Sequence, residues 1–213
     1  MQGSATTLDR EYPLSQYPVS VSIESPLDGR NRLTTGLRPI LAIPHMVLVG
    51  PGAWLHRVDS AGLLGAAAYV LAIVNWFAIL ISGESIQGIR DFQLYYLRWR
   101  TRAVAYMSLL VDPYPPFGDA PYPATIAVSE PAGVRDRATI AVRLILAVPH
   151  LVVLFFLVVA WALGTLVAWL AILFTGAYPA FLHPFALGVM RWLLRVEAYL
   201  LLLVDDYPPF TLD

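Results

Sequence analysis

Two histidines, His45 and His150, have the spacing that best suits binding chemistry. They end the similar motifs RPILAIPH (38–45) and RLILAVPH (143–150), seven residues after Arg38 and Arg143. Seven residues make about two helical turns, so each Arg and His share a helix face. Two histidines on apolar helices could ligate a haem or chlorin, with the arginines holding anionic groups. Alternatively, each histidine binds a carbonyl that the adjacent proline frees, or it anchors the helix at the lipid headgroups; we expect such a structural role, and hence no cofactor.

A second pair of motifs combines arginine with tryptophan. Candidate lipid- or anion-binding residues are Arg98, Trp99, Arg102, Arg191, Trp192 and Arg195. In each motif the two arginines lie four residues apart, on one helix face. Arginine forks match phosphate geometry, and tryptophan prefers the membrane interface. The alternative is general membrane anchoring with ion pairs, for example of Arg195 with Glu197 or Asp205.

Each of these regions is followed by a proline-rich aromatic segment, VDPYPPF (111–117) or VDDYPPF (204–210). Proline cannot continue a helix, so these segments end one. An extended proline-rich segment with aromatic side chains is also a peptide type that partner proteins recognise. The candidate partner-docking residues are Tyr114, Pro115, Pro116, Phe117, Tyr207, Pro208, Pro209 and Phe210.

Nothing else in the sequence forms a recognisable reaction centre. The chain has no cysteine, which excludes disulfides, thiolate metal sites and cysteine nucleophiles. It has no nucleophile–base set, paired carboxylates or glycine-rich phosphate loop. We therefore expect no catalytic residues and no metal site, and the protein is not expected to be an enzyme. A net charge of −1 provides no basic surface for nucleic acid.

The composition is that of a membrane protein. Of 213 residues, 58% are hydrophobic and 14% are charged, whereas soluble domains average about 25% charged residues. Membrane lipids and other membrane subunits are therefore the expected partners.

The sequence reads as two copies of one unit. YPVSVSIESPLDGRNR (17–32) matches YPATIAVSEPAGVRDR (122–137) at an offset of 105, and from Trp76 and Trp169 onward the offset is 93. The first copy therefore carries 12 additional residues, located near positions 50–62. We predict an N-terminal cytoplasmic segment (1–16), a first membrane repeat (17–117), a linker (118–121) and a second membrane repeat (122–213).

Three helices are predicted in each repeat, at about 38–50, 62–82 and 88–110, and at about 141–157, 162–176 and 183–204. The apolar run from Leu144 to Phe174 would measure about 46 Å as one helix, beyond a core of roughly 30 Å. We therefore predict a turn near Trp161–Gly164. The fold class is all-α integral membrane, each repeat a transmembrane hairpin plus an amphipathic Arg/Trp helix, with strand-like and Pro-rich connectors. VSVSIES and ATIAVSE are strand-like, and they could pair into a small cytoplasmic sheet or dock along the third helix.

Arginine placement predicts the orientation. Nearly all arginines flank the hairpins on one side, whereas Arg57 lies in the opposite loop. The positive-inside rule makes the first side cytoplasmic. We predict a multi-pass protein of the bacterial inner membrane, with both termini in the cytoplasm and four crossings. The alternative is six crossings, in which the third helix of each repeat also spans.

At the residues R-x-I-L-A-x-P-H, then G, R-W and DxYPPF, the chain resembles the bacterial membrane family called domain of unknown function 4389, in tandem duplicate. The resemblance covers nearly everything from Tyr17 to Phe210. It implies membrane location and repetition, and it assigns no catalytic residue.

The function predicted from these features is that of a non-catalytic accessory or scaffold subunit of an inner-membrane complex. A small transporter, channel or lipid-binding protein is one alternative. A membrane carrier of a haem or chlorin through His45 and His150 is another.

Overall fold

The computed structural model describes residues 17–51, 61–118, 120–131 and 135–213. Arg57 and the predicted segment 1–16 lie outside these ranges. Within them the elements are β1 (Val19–Ile23), α1 (Arg32–Leu41), α2 (Ile43–Val49), α3 (Gly62–Ser82), α4 (Gln87–Met107), β2 (Ala124–Val128), α5 (Arg137–Ala141), α6 (Arg143–Thr175) and α7 (His183–Leu200). The chain is mostly helical, as predicted, and α3 and α6 are each long and apolar enough to cross a membrane.

Helix ends follow local sequence signals that recur in the two halves. The Asn31 side chain caps α1 by accepting from the Thr34 N–H at 3.1 Å. Asp136, 105 residues later, caps α5 by accepting from the Ala138 N–H at 2.9 Å. Gly83 and Gly176 end α3 and α6 with φ of 84° and 77°, a left-handed conformation that favours glycine.

The helices α1, α2 and α3 follow one another as a first rod, and α5 and α6 form a second rod. Each rod buries one narrow stripe with helical spacing. The buried helix positions are Thr35, Arg38, Ala42, His45, Val49, Gly65, Ala68, Ala72, Asn75 and Ile79 in the first rod, and Ile140, Arg143, Ala147, His150, Leu154, Val158, Trp161, Thr165, Ala168 and Ile172 in the second. The offset is 105 before the insertion and 93 after it, so the stripe keeps its register across the insertion.

The predicted turn at Trp161–Gly164 is wrong, because α6 is a single helix of 33 residues. The prediction assumed that an apolar helix crosses the bilayer perpendicularly. The bilayer thickness does not limit the length of a helix in another orientation. The hairpins lie elsewhere in the chain: α3 turns back into α4, and α6 turns back into α7.

The predicted third helices exist as α4 and α7, but they are not one-sided surface helices. The residues from Trp99 to Met107 in α4 and from Trp192 to Tyr199 in α7 are all buried. Helix α4 contacts α2, α3, α7 and β2, which cover it on several sides. These helices are therefore the centre of the fold.

The two strand-like segments pair with each other, as the sequence allowed. Strands β1 and β2 form an antiparallel ribbon in which Val21 lies opposite Ile126. These two residues are also equivalent at the offset of 105, so a pseudo-twofold axis passes between them, perpendicular to the ribbon. Val19, Val21, Ala124 and Ile126 face the core, where β1 contacts α7 and β2 contacts α4.

The two rods lie antiparallel and touch at both ends. The Trp76 Nε1–H donates to the Ile140 carbonyl at 2.8 Å, and the equivalent Trp169 Nε1–H donates to the Thr35 carbonyl at 2.9 Å. Each tryptophan near the end of one rod thus binds the beginning of the other. The axis that relates these two contacts passes between the middles of the rods.

Candidate functional site

The predicted histidine sites are aromatic clusters inside the protein, which we call the histidine clamps. In the first clamp, the Trp99 Nε1–H donates to His45 Nδ1 at 3.0 Å. The ring of Phe117 stacks on the imidazole with centroids 4.9 Å apart, and Tyr114 lies 5.0 Å away. The clamp therefore joins α2, α4 and the segment after α4.

The second clamp repeats this arrangement. The Trp192 Nε1–H donates to His150 Nδ1 at 3.1 Å, and Phe210 stacks on the imidazole with centroids 3.9 Å apart. Tyr207 takes the place of Tyr114, at 4.7 Å. The motifs P-H, R-W and YPPF are thus explained as three contributions to one packing unit.

In each clamp, only one of the two histidine ring nitrogens forms a hydrogen bond within the described part of the chain. Because Nδ1 accepts a hydrogen bond, the neutral imidazole carries its proton on Nε2. Both Nε2 atoms are buried, without a hydrogen-bond partner among the described residues. The predicted bond to a carbonyl is therefore not formed, and neither buried histidine reaches the headgroups. The stacked phenylalanine covers one face of each ring. Cofactor ligation by these histidines stays an untested alternative, and it would have to use Nε2.

Arg38 and Arg143 bind the protein itself, in matching ways. Arg38 donates to the carbonyls of Tyr106 at 3.1 Å and Val111 at 2.9 Å, and to Asp112 at 2.9 Å. Arg143 donates to the carbonyls of Tyr199 at 3.0 Å and Val204 at 2.9 Å, and to Asp205 at 2.9 Å. Each guanidinium therefore holds the carbonyls that the end of α4 or α7 leaves unpaired.

The six lipid- or anion-binding candidates fall into different environments. Arg98 is exposed and Arg191 is half-buried, so these two can reach a headgroup. Arg102 and Arg195 are buried; Arg102 donates to the Gly118 carbonyl, and Arg195 lies 5.9 Å from the Tyr17 ring. Trp99 and Trp192 are buried in the histidine clamps.

The alternative ion pairs of Arg195 are not formed. Asp205 pairs with Arg135 at 2.6 Å and with Arg143 at 2.9 Å, while Glu197 pairs with Arg100. Arg195 is therefore not the partner of either carboxylate.

The partner-docking candidates fold back onto the helices and remain partly exposed. Tyr114 and Phe117 are 41% and 59% exposed, and Tyr207 and Phe210 are 43% and 52% exposed. Pro115, Pro116, Pro208 and Pro209 link these aromatic pairs. One side of each segment packs on its histidine and the other is open, so docking of a partner stays a prediction.

A buried polar cluster was missed from the sequence. It consists of Tyr69, Tyr96, Arg100 and Glu197. The Arg100 Nε lies 2.6 Å from Glu197 Oε2, and the Tyr96 hydroxyl donates to Glu197 Oε1 at 2.8 Å. Tyr69 approaches the same oxygen at 3.5 Å. Burial first, and then the Glu197 charge, raise the pKa of Tyr96, so its hydroxyl stays protonated and donates.

This buried polar cluster has no counterpart in the other half. The positions equivalent to its members, at the offset of 93, hold Ala162, Val189, Leu193 and Val104. The difference follows from the insertion: α2 ends at Val49, and Arg100 Nη1 donates to the Val49 carbonyl at 2.6 Å. In α6 the equivalent Leu154 lies within a continuous helix. Arg100 thus caps a helix end that only the first half contains, and Glu197 balances its charge.

The contacts of these sites join helices and helix ends to one another. Among the described residues, no group of three or more His, Asp or Glu side chains could hold a metal. The sequence signal for the buried polar cluster was available, namely charged residues where the other half has leucine and valine.

Comparison with known proteins gives a family and no named relative. A family model described as domain of unknown function (DUF4389) matches the chain twice, over residues 60–118 and 137–211. No curated protein and no solved structure matches the chain. The two matches fall one in each half and together cover more than half of the sequence. The chain therefore belongs to the DUF4389 family and contains two copies of its domain in tandem.

Proposed function

We propose that this protein is an integral membrane protein of two repeated units, and that it serves as a non-catalytic accessory or scaffold subunit of an assembly in the bacterial inner membrane. The observation that carries the membrane location is the exposure of the apolar helices. In the most apolar 18-residue stretch of α3, only 28% of the residues are buried inside the protein, and the share is the same in α6. A core helix of a soluble protein would be mostly buried, whereas a lipid-facing helix is not.

The exposed surface of α6 has the character that lipid requires. The chain carries no charged residue between Arg143 and Thr175. Phe155, Phe156 and Phe174 are 57%, 67% and 79% exposed. A contiguous apolar surface of this length would drive aggregation in water, and contact with lipid removes that cost.

The scaffold role is supported by how the repeated residues are used. The repeated histidines and tryptophans, with Arg38 and Arg143, form internal contacts between helices. What the repeats present outward is the open side of two aromatic segments, each ending in Pro-Pro-Phe. Aromatic side chains that are half-covered by their own protein are suited to contact a partner subunit.

The test is purification of the tagged protein from its native host in mild detergent. Co-purifying proteins are identified by mass spectrometry, and the absorption spectrum of the same sample is recorded. Stoichiometric partners that are absent from an equally tagged, unrelated membrane protein support the proposal. A partner-free protein with a visible haem or chlorin band contradicts it and points to His45 and His150.

A further inference from the structure

We infer that both rods lie flat within one leaflet, so that the protein is embedded from one side and does not cross the bilayer. This inference rests on the proposed membrane location and specifies its geometry. It replaces the four crossings expected from the sequence. Three observations carry it: the position of the ribbon, the position of the insertion and the length of the second rod.

The first observation is the place of the β-ribbon on the pseudo-twofold axis. This axis passes between Val21 and Ile126 and between the middles of the antiparallel rods. If the rods crossed a bilayer, the axis would lie in the midplane, and the ribbon would sit at the depth of the lipid tails. In a flat orientation the axis is the membrane normal, and the ribbon faces water.

The ribbon is unsuited to the lipid tails. In the described part of the chain it has two strands, so each strand keeps one edge without a neighbouring strand. Its outward face carries exposed Ser20, Ser22 and Thr125. Backbone groups at an open sheet edge have no partner in hydrocarbon, and open sheets are not found there. The ribbon side of the protein therefore belongs at the water interface.

The second observation is the position of the 12-residue insertion. It interrupts the first rod between Val49 and Gly62, which is where the axis passes. Gly50 and Pro51, at the beginning of the interruption, are not helical. A crossing rod would place this break near the bilayer centre, where non-helical backbone next to lipid has no hydrogen-bond partner. In a rod that lies at one interface, the break is within reach of water.

The third observation is length and charge. Helix α6 has 33 residues, which corresponds to about 50 Å against a hydrocarbon core of roughly 30 Å. The charged residues Asp91 and Arg98 are exposed on α4, the layer between the rods and the ribbon. The exposed surface of the rods is thus largely apolar, whereas α4 and the ribbon expose charged and polar residues, as expected of a protein embedded in one leaflet. The occupant of the apolar face is thus the acyl region of that leaflet.

The experiment measures depth at three positions on one face of α6. Ile145, Phe156 and Phe174 are 72%, 67% and 79% exposed. Their spacings of 11 and 18 residues are close to whole helical turns, so all three point in nearly the same direction. The chain contains no cysteine, and each position can therefore be replaced singly: Ile145→Cys, Phe156→Cys, Phe174→Cys, with Ser22→Cys on the ribbon. The full-length variants are nitroxide-labelled and reconstituted in phosphatidylethanolamine–phosphatidylglycerol vesicles. Depth is read from collisions with oxygen and with a water-soluble nickel chelate.

The flat orientation predicts equal depth at the three α6 positions and free access of the nickel chelate to Ser22→Cys. Crossing rods predict that Phe156→Cys is deepest, that Ile145→Cys and Phe174→Cys lie near opposite headgroups, and that Ser22→Cys is shielded. That profile would overturn the flat orientation and leave the membrane location intact. Nickel access at all four positions would overturn both.

Discussion

Arg100 on α4 forms a buried ion pair with Glu197 on α7, with Nε 2.6 Å from Oε2. The pair joins the two halves of the molecule, and the equivalent positions hold Leu193 and Val104. The same guanidinium caps α2 through the Val49 carbonyl. The buried charge is therefore a consequence of the break in the first rod, and it is not needed in the second.

Removal of one member of this pair should destabilise the protein. Glu197→Val leaves the Arg100 charge buried and should lower the free energy of unfolding by about 3–5 kcal/mol. The double variant Arg100→Leu with Glu197→Val installs the residues of the other half and should recover part of this loss. Unfolding in one detergent, analysed as a double-mutant cycle, measures the coupling. Strictly additive losses would show that the two charges do not interact.

The histidine clamps should contribute stability in both halves. His45→Ala and His150→Ala each remove a stacked ring and a buried hydrogen bond, and each should cost about 2–4 kcal/mol. Thermal unfolding and the absorption spectrum are measured on the same samples. A variant with unchanged stability that loses a chromophore would instead identify the histidine as a ligand.

Arg38 and Arg143 should not tolerate lysine. The guanidinium of each binds two carbonyls and one carboxylate, a geometry that an ammonium group cannot reproduce. Arg38→Lys and Arg143→Lys should each destabilise the protein by about 2–3 kcal/mol. The matched control is Arg98→Lys, whose side chain is exposed and whose substitution should change stability by less than about 0.5 kcal/mol. Equal effects at the three positions would contradict the assigned contacts.

Gly62 should be essential at the junction of α2 and α3. Its φ is +71°, and a Cβ there would lie 2.4 Å from the Gly50 nitrogen. Gly62→Ala should therefore cost at least about 2 kcal/mol. Gly88→Ala, in α4, meets nothing within 4 Å and should be neutral or stabilising by up to about 1 kcal/mol. Chemical unfolding of both variants checks this contrast; a tolerated Gly62→Ala would mean that the junction is open.

Repetition in the sequence predicted much of the architecture. The equivalence of 17–32 and 122–137 identified two strand-like segments that could pair, and β1 and β2 do pair. The third helices were placed within a few residues of α4 and α7. These predictions succeeded because equivalent residues make equivalent contacts, as in the two histidine clamps.

Two features escaped the same reasoning for physical reasons. The turn at Trp161–Gly164 was inferred from bilayer thickness, but Gly164 lies inside a continuous helix that packs against both α7 and α1. The pair Arg100–Glu197 was missed because comparison between repeats favours positions that are alike. Here the informative positions are those where the halves differ. The insertion in the first half ends α2, so the Val49 carbonyl needs a hydrogen-bond donor from outside the helix.

The membrane location is tested most directly by extraction of the native host's membranes with alkaline carbonate, which strips peripheral proteins and leaves embedded ones. The apolar faces of α3 and α6 predict that the protein remains in the membrane pellet and is released only by detergent. Recovery of folded protein in the carbonate supernatant would contradict the account, because it would mean that something other than lipid covers these faces.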